Sequence, residues 1–200
     1  MILLLSIMKK KIPYFLLIFV LIFPVNSYSF FLDFKPGSEP EGFRQIKWGT
    51  DISTMKDMVL IEDLSQTMNI ALAKEYKKNN DILNIGSAHL KKLSYVFLDG
   101  KFWFVVAEFS GLENWKALSD SCFKIFGSRN IWIRELSGNR KDGTKYHEKI
   151  EDYSWKGEIT SLSINYWHVL NHGTFSISSK VIGDKAKYLS NKKAREKGGF

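Results

Sequence analysis

One cysteine, Cys122, stands in 200 residues, so no intramolecular disulfide can form and the core must be held by burial alone. No cysteine follows the N-terminal apolar run, so the lipid-anchored kind of leader has no residue to carry its acyl chains. That run, Ile12 to Val25, falls short of the roughly 20 apolar residues of a membrane-spanning helix, and Pro24 closes it. Also missing are a serine nucleophile elbow (G-x-S-x-G), a phosphate-cradling loop and a dinucleotide fingerprint. An enzyme reading therefore lacks a nucleus, and no catalytic residue or cofactor is assigned.

The body of the chain has no excess of either charge. Of the formal +8, three lysines (Lys9, Lys10, Lys11) precede the apolar run and a net +5 lies from Lys185 onward, leaving twenty basic and twenty acidic residues between Phe30 and Asp184. A nucleic-acid domain would carry a basic face interleaved with aromatics, so nucleic acid is not expected as a partner. The basic tail reads as solvated, with attraction to anionic lipid as its alternative.

What is present at the N-terminus has the layout of a secretory signal peptide: a basic segment, the apolar run, then small and polar residues at Asn26 to Ser29. Ser27-Tyr28-Ser29 fits cleavage after Ser29, and Val25-Asn26-Ser27 fits a cut before Tyr28; the first is taken. Met8 is an alternative start to Met1, and an uncleaved anchor is the alternative to cleavage. The expected organisation is a signal peptide over residues 1–29, a Pro/Gly-punctuated tether over 30–42, one domain over 43–183 and a basic polar tail over 184–200. The protein is expected in the periplasm or outside the cell, touching membrane only transiently through the leader or weakly through the tail.

The strongest local signal is Leu90 to Phe109, two apolar runs meeting at Asp99-Gly100, a dipeptide suited to the positive φ of a two-residue hairpin turn. An unbroken period of two puts Leu93, Tyr95 and Phe97 with Phe102, Phe104 and Val106 on one face. The other face carries Val96 beside Trp103 and Ser94 beside Val105, too apolar to stand in water, so something covers it or it binds something. Val96, Trp103 and Val105 are thus the candidate binding residues. Apolar residues at 112, 115, 118, 122, 125 and 126, followed by Gly127, predict a helix over Leu112 to Phe126 that lays Trp115, Leu118, Cys122 and Ile125 on the Phe97/Phe102 face.

Short apolar runs at Met58 to Ile61 and Ile70 to Tyr76 read as a hairpin, with helix the alternative for the second. Ile131 to Leu136 reads as a strand and Ser137 to Thr144 as a polar loop. Tyr146 to Trp155, Glu158 to Trp167 and Gly173 to Val181 read as three antiparallel strands. The fold class is α+β: an antiparallel sheet of about six to eight strands with one principal helix on one face.

Gly42-Phe43-Arg44-Gln45-Ile46-Lys47-Trp48-Gly49-Thr50, Met58-Val59-Leu60, Ile85-Gly86, Leu93-Ser94-Tyr95-Val96-Phe97, Phe123-Lys124-Ile125-Phe126-Gly127, Tyr153-Ser154-Trp155 and Gly173-Thr174-Phe175-Ser176-Ile177 resemble a group of small exported proteins of Gram-negative bacteria to which no activity is assigned. The resemblance covers most of residues 42–179 and implies an α+β envelope domain without catalytic residues to transfer. It departs after Gly127, where proline is expected and Ser128-Arg129-Asn130 stand.

Other candidates have blander readings. His168 and His172 lie four apart and could join His147 around a metal, but the glutamate and helix that such spacing needs are missing, and no metal is assigned. Cys122 lies near the C-terminal end of its helix, where the dipole disfavours a thiolate, so it reads as core. Glu148, Glu151 and Asp152, with Asp142 nearby, could do acid/base chemistry as a periplasmic hydrolase, yet Lys145 and Lys149 in the same run suit a solvated strand face. Trp48, Trp115 and Trp155 are expected in the core. Trp103, Trp132 and Trp167 read as core as well, with the alternative of a place on the second face or near its edge, where aromatics stack on sugars or grip a partner. The function expected is non-enzymatic binding of a protein or other envelope component through a sheet face or edge.

Overall fold

The computed structural model describes residues 34–64, 72–139 and 143–197. The chain divides into two units, Met1–Phe31 and Leu32–Phe200, and every described residue belongs to the second. The expected leader and its cleavage site at Ser29 lie outside the described residues. In chain order the strands are β1 (Gly42–Phe43), β2 (Ile46–Lys47), β3 (Met58–Asp63), β4 (Ala73–Lys78), β5 (Asn84–Ile85), β6 (Ala88–His89), β7 (Lys92–Leu98) and β8 (Lys101–Ser110). Helix α1 (Leu112–Phe126) follows, then β9 (Asn130–Asn139), β10 (Lys145–Lys156), β11 (Thr160–Trp167), β12 (His172–Ser179) and helix α2 (Lys180–Lys197). Eight strands form one antiparallel sheet in the order β3-β4-β7-β8-β12-β11-β10-β9. With α1 packed on one face, the fold is α+β.

Asp99 and Gly100 turn the central hairpin at φ of 48° and 73°, the left-handed pair that a two-residue turn requires. Pairing starts as the period predicts, Leu98 opposite Lys101 and Phe97 opposite Phe102, and then slips, so that Val96 faces Phe104 and Tyr95 faces Val105. A bulge at Trp103 inserts one residue, and beyond it every side chain of β8 changes face. Val105 therefore joins Tyr95 in the main core, fully buried, instead of lying beside Ser94 as expected. Trp103 and Phe104, adjacent in sequence, share the second face with ring centroids 5.9 Å apart.

The main core lies between the sheet and α1. Trp115, Leu118 and Cys122 are buried as the helical period predicts, while Ile125 remains 56% exposed. Phe109, Trp115 and Tyr166 stack with interplanar angles of 3°, 13° and 16°. Gly173 makes room for this, since a Cβ there would stand 2.2 Å from Phe109 Cζ. Trp155 is fully buried, its indole donating to Gly127 O at 3.0 Å. Trp48 stacks on Phe102 at 5.0 Å.

Three further expectations change. Residues 34–42, read as a tether, are docked: Phe34 is buried with its ring edge-on to Phe126 at 5.4 Å, and Lys35 N donates to Phe126 O at 2.6 Å. The polar loop after Leu136 starts late, because β9 runs on to Asn139. The stretch from Asp184, read as a polar tail with no stripe to dock, continues through Lys197 a helix, α2, that starts at Lys180 and docks its first turn on the sheet.

Candidate binding face and edge

The second face is capped where Val96, Trp103 and Val105 were expected to offer a binding surface. A small cluster of Leu64, Ala73, Val96 and Leu98 is buried there, with Trp103, Phe104 and Ile182 packed against it. Ile182 and Gly183 come from the first turn of α2. The Trp103 indole donates to Ser179 O at 3.1 Å, and a Cβ on Gly183 would come within 3.1 Å of that nitrogen. Val96 and Trp103 do occupy the second face, but as the floor under α2, and Val105 lies on the other side of the sheet.

The carboxylates do not converge. Register with β9 and β11 puts Glu148 and Asp152 on one face of β10 and Glu151 on the other. Glu148 is buried, and its carboxylate accepts from Val169 N at 2.9 Å and Leu170 N at 3.2 Å, fixing the β11–β12 turn. Asp152 accepts from Arg134 Nε at 2.8 Å. Glu151 accepts from Lys149 Nζ at 2.6 Å, sits 3.1 Å from His168 Nε2 and accepts from Tyr153 OH at 3.2 Å. Partial burial raises its pKa, but the lysine and tyrosine hydrogen bonds outweigh that and leave it below the ordinary value. This holds Glu151 ionised as an acceptor, the opposite of what a general acid needs. Asp142 lies outside the described residues.

The histidines are likewise scattered: His147 Nδ1 lies 2.8 Å from Ser137 Oγ, His168 meets Glu151, and His172 lies against Trp167 at 5.9 Å. Among the described residues no group of three His, Cys, Asp or Glu side chains could hold a metal ion. Burial pushes the Cys122 thiol up to about 12, which keeps it protonated and unreactive.

What the fold leaves open is its two edge strands, the six-residue β3 with Val59, Leu60 and Ile61 exposed and the longer β9, together with the second face next to β9. β9 is 10 residues long and pairs with β10 along its whole length, and it is a terminal strand of the sheet. Ile131, Trp132, Ile133 and Leu136 are 53%, 66%, 57% and 45% exposed. They alternate between the two faces, so apolar side chains flank the free edge on both sides. Trp132 lies opposite Asp152, which lies opposite Asn165, and Arg134 lies opposite Ile150, which lies opposite Trp167. Trp132 and Trp167 are therefore on the same, second face, the alternative to the core packing favoured for them. Between and beyond them that face is floored by partly exposed small polar side chains, Ser154, Ser163, Asn165, Thr174 and Ser176. The three apolar residues in a row at 131–133, covering both parities, were the signal for a two-sided edge. Neither Ile131 nor Ile133 was singled out from the sequence.

The site thus defines an open-faced α+β sheet protein with exposed apolar side chains on both terminal strands, over the longer span on β9. The chain matches no family model, no curated protein and no solved structure.

Proposed function

We propose that the protein is a non-enzymatic binding module exported to the cell envelope, holding an extended strand of a partner protein along the free edge of β9. The observation that carries this is the exposure of Ile131, Trp132, Ile133 and Leu136 along a 10-residue terminal strand. An edge of that length offers a row of backbone donors and acceptors, and proteins that must stay monomeric blunt such edges with charge, proline or a bulge. β9 has no proline, and its one ion pair on the second face, Arg134 with Asp152, points back into the sheet. Added-strand recognition uses just these parts: main-chain hydrogen bonds for affinity and alternating side chains for selectivity. The basic, apolar and small-residue order of the leader supports export, as does the resemblance to small envelope proteins.

The test is capture from envelope extracts by the wild-type domain and by Ile133→Lys, which puts a charge on the edge, followed by hydrogen exchange of β9 with the captured protein added back. Slowed exchange at the β9 amides and loss of capture by the lysine variant are expected. Unchanged β9 exchange in the complex would place the contact elsewhere.

A further inference from the structure

The second face offers a different kind of surface from the edge. Its α2-covered end is apolar and closed, and its other end is polar, flat and open. Trp132 and Trp167 are separated there by two interstrand steps and two residues along the strand, which from sheet geometry is about 12 Å. The floor that joins them consists of Asp152, Asn165 and the buried Ile150, with hydroxyl side chains beyond on β11 and β12. Ser163 Oγ and Ser176 Oγ are 2.8 Å apart, and Thr174 Oγ1 donates to Asn165 Oδ1, so these side chains hold one another level across β11 and β12. Asp152 is neutralised by Arg134, whose Nη2 is 2.5 Å from Asp152 Oδ2, and its Oδ1 is buried. Lys92 faces Glu108 across the β7–β8 pair. The surface therefore combines one exposed indole, Trp132, and one half-buried indole, Trp167, tilted against His172, with hydrogen-bonding groups, and at this end carries its charges in opposite-sign pairs.

We propose that this end of the face binds an extended, neutral, β-linked glycan strand. A sugar ring in such a strand is itself two-sided, with a C–H face that packs on an indole and an equatorial rim of hydroxyls that need hydrogen-bond partners. Trp132 and Trp167 each take the C–H face of one ring, at a separation suited to alternate rings of an extended strand. Arg134 and Asn165, with Thr174 beyond them on β12, meet the hydroxyls. At this end of the face the two cations, Arg134 and Lys92, stand beside Asp152 and Glu75, so nothing there attracts an acidic polymer. The site shares Trp132 with the β9 edge but otherwise uses other residues, so it stands or falls apart from strand docking.

The probe is N-acetylchitohexaose, titrated against the mature protein by intrinsic fluorescence and by retention on insoluble chitin, with chitobiose and dextran for comparison. Hexasaccharide binding is expected to be tighter than disaccharide binding, since only the longer chain spans both indoles, and the coiled α-linked dextran is expected not to bind. Trp132→Ala and Trp167→Ala are each expected to weaken the hexasaccharide by about ten-fold or more, the scale of a hot-spot aromatic. Asn165→Ala is expected to weaken it less, and Ile133→Lys, on the opposite side of the sheet, not at all. Trp132 is exposed enough that its alanine variant folds, and circular dichroism checks each variant. Failure of hexaose to bind, equal affinity for the two chain lengths, or unaltered binding by both tryptophan variants would overturn the proposal. Loss on Ile133→Lys with retention in Trp167→Ala would also overturn it and return the contact to the strand edge. An Ile133→Lys variant that keeps protein capture would refute strand docking while leaving the glycan site untouched.

Discussion

Three successive backbone N–H groups, those of Glu158, Ile159 and Thr160, point into the carboxylate of Glu39 at 3.2, 2.8 and 2.7 Å. One acceptor thereby satisfies the donors of the β10–β11 turn, which would otherwise be left without protein partners. The same junction is closed by Trp48 Nε1, donating to Thr160 Oγ1 at 2.9 Å. Thr160 is fully buried, so water has little access to replace a lost bond. Glu39→Ala should therefore destabilise the protein by about 1–3 kcal/mol, the cost of leaving buried donors unmade. Glu39→Gln, which keeps one acceptor oxygen, should recover part of that loss. Urea unfolding of the three proteins measures both steps. If the segment before Gly42 were a loose tether, neither substitution would shift the midpoint. The sequence around it, Pro36, Gly37 and Pro40, reads as disorder because those residues resist regular structure. They also suit a fixed irregular path, and local propensity does not distinguish the two.

At the scale of elements, the legible parts were those whose period stayed unbroken. Leu112 to Phe126 keeps its helical stripe to the C-capping Gly127, and the Asp99-Gly100 turn announces its hairpin. The bulge at Trp103 was not legible, because alternation through residues 101–109 is equally apolar on both parities and a slip by one leaves a pattern that looks the same. Val105 was misplaced for that reason. The docking of α2 was not legible because only Val181 and Ile182 open it with apolar side chains, and its cover on Trp103 comes from a single turn. The second face was thus rightly judged too apolar for water, while the covering piece lay far along the chain. Ile182→Asp should expose that floor and cost on the order of 2 kcal/mol from lost burial and an added charge. A double-mutant cycle with Trp103→Phe should show a coupling above about 0.5 kcal/mol if the two side chains share one packing site. Additive effects would mean that α2 does not rest on Trp103.

Across the whole molecule, two carboxylates join neighbouring elements in opposite halves of the sheet. Glu75 on β4 meets Lys92 on β7 at 2.8 Å, and Glu151 on β10 meets Lys149 and, across the sheet end, His168. Burial raises the pKa of each, but the neighbouring lysine ammonium, with Tyr153 added for Glu151, outweighs it, so both sit below the ordinary glutamate value of 4.5. A depressed folded pKa means that the unfolded chain binds protons more readily, so stability falls as the pH drops. Each carboxylate contributes its full stabilisation above pH 4.5 and loses it as the pH falls below that value through the lower folded pKa. Urea midpoints at pH 6 and pH 3 should therefore fall steeply for the wild-type protein. For the double variant Glu75→Gln/Glu151→Gln they should start lower at pH 6 and fall less. Because the pairs lie on separate halves, each single variant should remove its own share of the acid loss independently, as expected of distant sites. If the double variant lost as much between pH 6 and pH 3 as the wild type, acid sensitivity would have to come from other carboxylates, and these two ion pairs would not hold the halves of the sheet to their neighbours.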